Sequence, residues 1–174
     1  MNLEQLKYPI GHYKAPETIT TTQLLHWTNE IRELPKILTR TVNGLTEDEL
    51  NTPYRPGGWT IRQVVHHLPD SHMNAYVRFK LALTESNPSI RPYYEDRWAE
   101  LEASKTAAIE PSLFLLNALH RKWIVLIQSC SEAELKKTFF HPESKASSSL
   151  AFNIGNYAWH GKHHLAQIKN GLRL

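Results

Sequence analysis

The chain has 174 residues, of which 41% are hydrophobic and 21% charged, an ordinary globular composition that excludes a low-complexity or disordered chain. Its net charge of +3 is small and its lysines and arginines are scattered, which argues against a nucleic-acid-binding surface. The single cysteine, Cys130, excludes an internal disulfide framework and a thiolate-rich zinc site.

The N-terminal quarter of the sequence predicts an extended arm followed by one long helix. Residues 1–16 contain two prolines and a glycine and therefore predict the arm. A threonine within Thr20–Thr22 is expected to cap the helix, and apolar residues spaced three and four apart continue it to about Asn43. Pro35 lies inside this helix and is expected to bend it.

The middle of the sequence predicts one helical turn, two further long helices and a short capped helix. Residues 46–50 favour the helical turn, and Thr60 is the expected cap of the second long helix. Residues 87–92 interrupt the helical pattern. Pro111 is expected to begin the third long helix, because proline suits a first helical turn. The segment Ser131–Glu134 is typical of a short helix with a capping box.

The C-terminal part of the sequence predicts a loop and a fourth long helix. Residues 141–149 are rich in serine and predict the loop. The last helix is expected to start near Ser148 and to end at Gly171, a natural C-cap. A hydrophobic period of two is nowhere sustained. We therefore expect a single all-α domain over residues 1–174: a four-helix bundle with short additional helices and an extended N-terminal arm.

The most informative pattern is a histidine pair in the last predicted helix. His160 and His164 lie one helical turn apart, a spacing at which two imidazoles can share one metal ion. The second long helix carries three more, at His66, His67 and His72. A pair plus one distant histidine is the ligand count of a catalytic metal with an open position. On a helical wheel either His67 or His72 can supply that third ligand, because Pro69 disturbs the ideal geometry between them.

The remaining histidines have no comparable neighbours in the sequence. We interpret His12, His26, His120 and His141 as structural or exposed residues. Among these, His120 lies beside the apolar stripe of its helix and is expected to be a hydrogen-bonded residue at the core boundary. Cys130 is expected to be a small buried residue at the end of that helix.

Longer stretches of the sequence are more specific than any histidine spacing. They are Tyr8–Gly11, Arg55–Leu68, Arg97–Leu101 and Tyr157–Leu165. In these stretches the chain resembles the DinB-like superfamily of metal-dependent helical bundles. Within that superfamily it resembles the YfiT-type metal-dependent hydrolases, to which bacillithiol S-transferases are related. The resemblance covers nearly the whole chain.

The resemblance implies a four-helix bundle that holds one divalent ion, zinc or nickel, on three histidines. Carried over residue by residue, the metal ligands are His67, His160 and His164. His67 is the histidine directly before leucine in the family's His-Leu pattern, so the resemblance chooses it over His72. Members of this type also look like homodimers, which leads us to expect a second copy of the chain as a partner.

The first functional hypothesis is hydrolysis of an unknown small substrate by water that the ion activates. Asp70 and His163 are the candidate proton carriers. Polar side chains near the ligands are expected to hold the ligand rings: Asp70, Ser71, Asn153, Asn156 and Gln167. Aromatic side chains are expected either to line an apolar pocket or to belong to the core: Trp59, Tyr93, Tyr94, Trp98 and Trp159.

Two alternatives stand beside hydrolysis. A thiol S-transferase of the bacillithiol type would bind a low-molecular-weight thiol to the ion as a thiolate, which then attacks an electrophile without a protein base. A non-catalytic bundle would use the ion only to join its helices, and would need a fourth ligand such as His163, His72 or an acid.

The expected compartment and partners depend on two patterns that the sequence does not contain, a signal peptide and a membrane-spanning stretch. The first residues have neither the basic start nor the apolar run of a signal peptide, and residues 123–127, the longest strongly apolar stretch, are too few to span a bilayer. We therefore expect a cytoplasmic protein without nucleic-acid or membrane partners. Its expected ligand is a small-molecule substrate or a low-molecular-weight thiol.

Overall fold

Four long helices build the fold. The computed structural model describes residues 2–174, and within that range the elements are, in chain order, α1 (Leu3–Lys7), α2 (Thr21–Val42), α3 (Glu47–Leu50), α4 (Ile61–Thr84), α5 (Glu95–Ala99), α6 (Glu102–Thr106), α7 (Glu110–Ser129), α8 (Glu132–Leu135), β1 (Thr138–His141), β2 (Ala146–Ser149) and α9 (Leu150–Leu172). Helices α2 and α4 each pack against both α7 and α9. The predicted all-α four-helix bundle is therefore confirmed.

Local capping explains where the long helices begin. The Thr20 side chain accepts a hydrogen bond from a backbone N–H in the first turn of α2, and Thr60 does the same for α4. Ser131 and Glu134 form the predicted capping box of α8. These caps act within four residues, which is why the sequence alone predicts them. Pro111 lies in the first turn of α7, as expected.

Both ends of the chain differ from the prediction. The arm contains α1, because the side chains of Asn2 and Gln5 cap each other's backbone N–H groups. Gly171 does not end the last helix: α9 continues past it, and Arg173 is the C-cap with a left-handed φ of 58°. A Cβ on Gly171 would lie 3.0 Å from the Cα of Tyr54, so this glycine permits close packing instead of ending the helix.

An antiparallel hairpin replaces most of the loop predicted over residues 141–149. Strands β1 and β2 pair in a register that places Thr138 opposite Ser149. Phe139 points into the core and anchors the hairpin on the bundle. Strand β2 consists of one alanine and three serines. It therefore lacks the alternation of apolar and polar residues by which a strand is predicted.

The core consists of two apolar clusters. One includes Ile31, Phe79, Trp123, Leu150 and Ile154, and the other includes Leu38, Ile61, Leu68, Leu116 and Ile168. Along α4, α7 and α9, respectively, His72, His120 and His160 lie between the residues of the two clusters. We call these three residues the histidine layer. None of the helices between residues 2 and 174 is both long and apolar enough to cross a membrane.

Candidate metal centre

Three histidines from two helices converge at one point. The Nε2 atom of His160 in α9 lies 3.4 Å from Nε2 of His67 in α4 and 3.2 Å from Nε2 of His164 in α9. One ligand nitrogen from each ring lies within 4.8 Å of the other two. The structure thus brings together the three residues that the family resemblance named as metal ligands. Their binding of an ion stays a prediction.

The spacing of these nitrogens suits a tetrahedral ion. Zinc–nitrogen bonds of about 2.0–2.1 Å place neighbouring nitrogens of a tetrahedral site about 3.3 Å apart, close to the two separations of His160 from its neighbours. The Nδ1 atom of His164 faces the Gln167 Oε1 atom at 2.8 Å. An amide oxygen only accepts, so this nitrogen carries the proton and the Nε2 lone pair of His164 points towards His160. A cation between the rings would satisfy these lone pairs.

Burial keeps the three imidazoles neutral, which is the form that binds metals. Burial, together with the neighbouring His163, lowers the pKa of His67 to about 4. For His160 and His164, burial and the neighbouring histidines hold the pKa well below the ordinary value of 6.5. Protons therefore do not compete for these nitrogens near neutral pH.

Two residues form hydrogen bonds with the expected ligands of α9, His160 and His164. The Gln167 Oε1 atom accepts a hydrogen bond from His164, and its Nε2 atom donates to the backbone carbonyl of Lys7 at 2.9 Å, so the N-terminal arm supports the site. His72 lies on the other side of His160, with its Nε2 atom 3.1 Å from His160 Nδ1. His72, the alternative third ligand on the helical wheel, therefore faces the nitrogen of His160 that points away from the cluster.

The three histidines line a pocket of about 500 Å³, a usual size for a small-molecule site. Its charged lining side chains include both signs: Lys7, Arg55, Arg78, Glu95, Asp96 and Glu143. Trp59 lines the pocket and packs on the His67 ring with a centroid separation of 4.9 Å. Tyr93 also lines it, and burial raises the pKa of its hydroxyl. The pocket accordingly combines mixed charge with aromatic walls.

The two candidate proton carriers, Asp70 and His163, lie at different positions relative to the pocket. Asp70 is not among the residues that line the pocket; it is half-buried, and desolvation raises its pKa. His163 does line the pocket, but its Nε2 atom already accepts from Gln167 at 2.9 Å. Its ring is stacked on Trp159, and burial lowers its pKa to about 4. Geometry therefore favours neither residue as a base.

The other candidates are distributed between the pocket and the core. Ser71 lies at the pocket, 3.5 Å from His160 Nε2, whereas Asn153 is buried with its side-chain oxygen unpartnered among the described residues. Trp159 donates to the Gly11 carbonyl. Tyr94, Trp98 and Asn156 do not line the pocket. The structure thus retains Ser71 and Gln167 as contacts of the ligands.

Sequence reasoning missed several residues of the pocket. Arg78 lies eleven residues, about three helical turns, after His67 on α4, so helical spacing was an available signal. Glu95 and His141 enter from α5 and from β1. Because no local pattern connects these elements with the ligand helices, only the tertiary structure could identify them.

Residues 30–168 match the model of the DinB superfamily. A Bacillus mycoides protein is 52% identical over 166 residues, which cover 95% of this chain and 95% of that protein. An Oceanobacillus iheyensis protein is 54% identical over 162 residues, or 93% of each chain. Both relatives are named, provisionally, as metal-dependent hydrolases.

A solved structure has the same architecture. It is that of YfiT from Bacillus subtilis, described as "a probable metal-dependent hydrolase with an unusual four-helix bundle topology". The two chains are 48% identical and superpose with a TM-score of 0.95, with 97% of each chain covered. At this identity and coverage, the similarity includes the ligand helices as well as the general fold.

Proposed function

The chain belongs to the DinB superfamily, and from this premise we propose that it is a metal-dependent hydrolase acting on a small polar substrate. The observation that carries the proposal is the convergence of three neutral imidazoles at the wall of an open pocket. Three protein ligands facing a pocket leave room for substrate, as in catalytic metal sites. A closed structural site would need a fourth protein ligand, so the arrangement counts against a purely structural ion.

His67, His160 and His164 would hold the ion, with zinc the first candidate and nickel the second. A divalent ion on three neutral histidines acts as a Lewis acid that acidifies water and polarises a carbonyl or phosphoryl oxygen. Trp59 packs against the ring of His67, one of the proposed ligands. Tyr93 carries its proton near neutral pH, and burial raises its pKa further, so its hydroxyl can donate a hydrogen bond to a substrate oxygen.

The lining of the pocket favours a polar substrate that carries charges of both signs. Arg55 and Arg78 supply guanidinium groups suited to a carboxylate or phosphate, while Glu95 and Asp96 supply carboxylates suited to an amine. The volume of about 500 Å³ limits the substrate to a small molecule.

Thiol S-transfer is the second candidate, and the position of the proton carriers favours it. Asp70 does not line the pocket, and the His163 Nε2 atom is already engaged by Gln167. A divalent ion would lower the pKa of a bound thiol enough for solvent to take its proton, so this reaction would need no protein base.

Metal content tests the site that both reactions share. We expect about one ion per chain in wild-type protein purified without a histidine tag, and its loss in His67→Ala and His160→Ala. His26→Ala, a change at an exposed histidine on α2, is the matched control and should retain the ion. A wild-type protein that takes up neither zinc nor nickel from solution would overturn the proposal.

Activity assays on the metal-loaded protein then separate the two reactions. Hydrolysis predicts metal-dependent release of p-nitrophenol from p-nitrophenyl acetate or bis(p-nitrophenyl) phosphate. Thiol transfer predicts metal-dependent conjugation of L-cysteine to monochlorobimane. Conjugation without hydrolysis would replace the first candidate with the second, and His160→Ala must abolish whichever activity is found.

We also propose that the protein is a homodimer, as the family resemblance leads us to expect. Multi-angle light scattering on the metal-loaded protein should give the mass of two chains at micromolar concentration. A mass of one chain would contradict this proposal without affecting the metal site.

A further inference from the structure

The histidine layer connects the metal centre to the backbone of a helix that supplies no ligand. The His72 Nε2 atom lies 3.1 Å from His160 Nδ1, and the His72 Nδ1 atom lies 2.9 Å from His120 Nε2. On the far side, His120 Nδ1 lies 2.6 Å from the backbone carbonyl oxygen of Ile31 in α2. His72 and His120 are only 0% and 1% exposed, so water does not compete for these bonds.

A proline explains why the carbonyl of Ile31 can accept this bond. In an α-helix that carbonyl would normally accept from the N–H of the residue four positions later. That residue is Pro35, which lies inside α2 and has no N–H. The freed carbonyl is buried with Ile31, where a missing partner would be unfavourable, and His120 supplies the donor.

The carbonyl fixes the position of every proton in the layer. A carbonyl oxygen only accepts, so His120 must carry its proton on Nδ1, and its neutral ring then presents a lone pair at Nε2. His72 must therefore donate from Nδ1 and accept at Nε2. By the same step His160 must donate from Nδ1, which leaves its Nε2 lone pair facing His67 and His164.

We propose that His72 and His120 are positioning residues that hold His160 as its Nδ1–H tautomer, with Nε2 directed at the metal. The proposal rests on the metal site proposed above. It assigns a role to two histidines that bind neither ion nor substrate, and it makes the Ile31 carbonyl the fixed end of the layer. A ligand whose second nitrogen is anchored in this way does not have to change tautomer or rotate when the ion binds.

These proton positions hold only while each ring is neutral, because a doubly protonated ring could donate at both nitrogens. Burial supplies this condition. It lowers the pKa of His120 to about 4, and the fully buried ring of His72 has, among residues 2–174, only histidine rings as its hydrogen-bond partners. Near neutral pH each ring therefore carries one proton and has one acceptor nitrogen.

Metal affinity tests the positioning role without relying on catalysis. Zinc binding measured by chelator competition should weaken by about 10- to 100-fold in His72→Phe and by about tenfold in His120→Phe, although all three ligands remain. His120→Gln should restore most of the affinity, because an amide can accept from His72 and donate to the Ile31 carbonyl. The matched control is His66→Phe, at a buried histidine that bonds to Ser112 and Ala107 instead.

Circular dichroism of the metal-free variants separates loss of positioning from loss of fold. Folded His120→Phe protein with wild-type zinc affinity would overturn the proposal. Should His120→Phe not fold, the protonation states of the histidines in wild-type protein test the proposal without any variant.

Nitrogen-15 spectra of the histidine side chains test the proton positions directly. In metal-free wild-type protein we expect His72, His120 and His160 all to be protonated on Nδ1 and unprotonated on Nε2. Protonation on Nε2 in any of the three would overturn the proposal. A protein that shows the expected tautomers but binds no metal would refute the proposed function and leave the hydrogen-bonded layer intact, so the two failures are distinguishable.

Discussion

Five imidazoles lie close together in the interior of the bundle. Each can bind a metal ion or accept a hydrogen bond only while it is neutral. His67 and His164 would complete the proposed ligand set around His160, and His72 and His120 are connected to His160 through hydrogen bonds. Burial disfavours the charged ring, and neighbouring rings would repel any second positive charge. The same desolvation that prepares the nitrogens for a metal therefore makes the fold sensitive to acid.

Acid sensitivity is the first prediction at the residue scale. An unfolded histidine binds a proton below its ordinary pKa of 6.5, whereas His120 in the folded chain stays neutral down to about pH 4. The unfolded state therefore binds more protons in this window. The free energy of unfolding should fall as the pH drops from about 6.5 to about 4, by up to about 3 kcal/mol for His120 alone.

Urea denaturation of the metal-free protein at several pH values measures this dependence. His120→Phe removes one of the titrating rings, so its unfolding free energy should depend on pH less steeply, by about 1.4 kcal/mol per pH unit within the window. His26→Phe should retain the wild-type slope. Equal slopes for wild type and His120→Phe would show that His120 is already protonated in the folded chain.

At the scale of single elements, Gly161 sets how closely α9 approaches α2. A Cβ at this position would overlap the Leu34 side chain, which belongs to the buried core. Gly161→Ala should destabilise the protein by about 1 to 2 kcal/mol, because the overlap outweighs the helix propensity gained from alanine. The shift of α9 should also weaken zinc binding, since His160 is the preceding residue. Lys169→Ala, at an exposed position of α9, is the control.

A substitution at Pro35 in α2 is expected to weaken zinc binding while the helix is retained. Pro35→Ala restores an N–H that competes with His120 for the Ile31 carbonyl. We expect the helix to be retained, because alanine favours it, while zinc affinity falls by less than the roughly tenfold loss expected for His120→Phe. Unchanged zinc affinity together with an unchanged tautomer of His120 would show that the carbonyl accepts both donors equally well.

The elements show what a sequence can predict about this fold. Thr60 and Ser131 were predicted as caps, and Thr20 was one of three threonines expected to cap α2, because a cap depends on residues within one turn. The hairpin was missed because the serines of β2 carry no apolar alternation, and Phe139 anchors it only through tertiary packing. Gly171 was misassigned because a glycine that permits close approach looks, in sequence, like one that ends a helix.

The same distinction between local sequence signals and tertiary contacts applies to the residues of the site. The pairing of His160 with His164 follows from helical spacing, and the choice of His67 came from the family resemblance. The interpretation of His120 as a hydrogen-bonded residue is confirmed, but its expected place at the core boundary is wrong, because the side chain is only 1% exposed. Its partner His72 was missed because no local pattern connects the two residues. Contacts between residues 48 positions apart require the assembled bundle.

At the scale of the whole molecule, the ion would join helices that the chain supplies separately. His67 lies in α4, whereas His160 and His164 lie in α9, so binding requires the folded state. Zinc at about 100 times its dissociation constant should raise the free energy of unfolding by about 2.7 kcal/mol. Thermal or urea denaturation should show this gain in wild type and not in His164→Ala. Equal gains in both proteins would mean that zinc binds elsewhere.

The histidine layer also has a consequence for the order in which the protein matures. Its contacts span the sequence from the Ile31 carbonyl to His160 and engage all four long helices. A ribosome synthesises α9 after the other three long helices, so neither the layer nor the ligand set can form before α9 has been made. Ion uptake would then be a late event that marks a finished bundle, and a truncated or misassembled chain would stay empty.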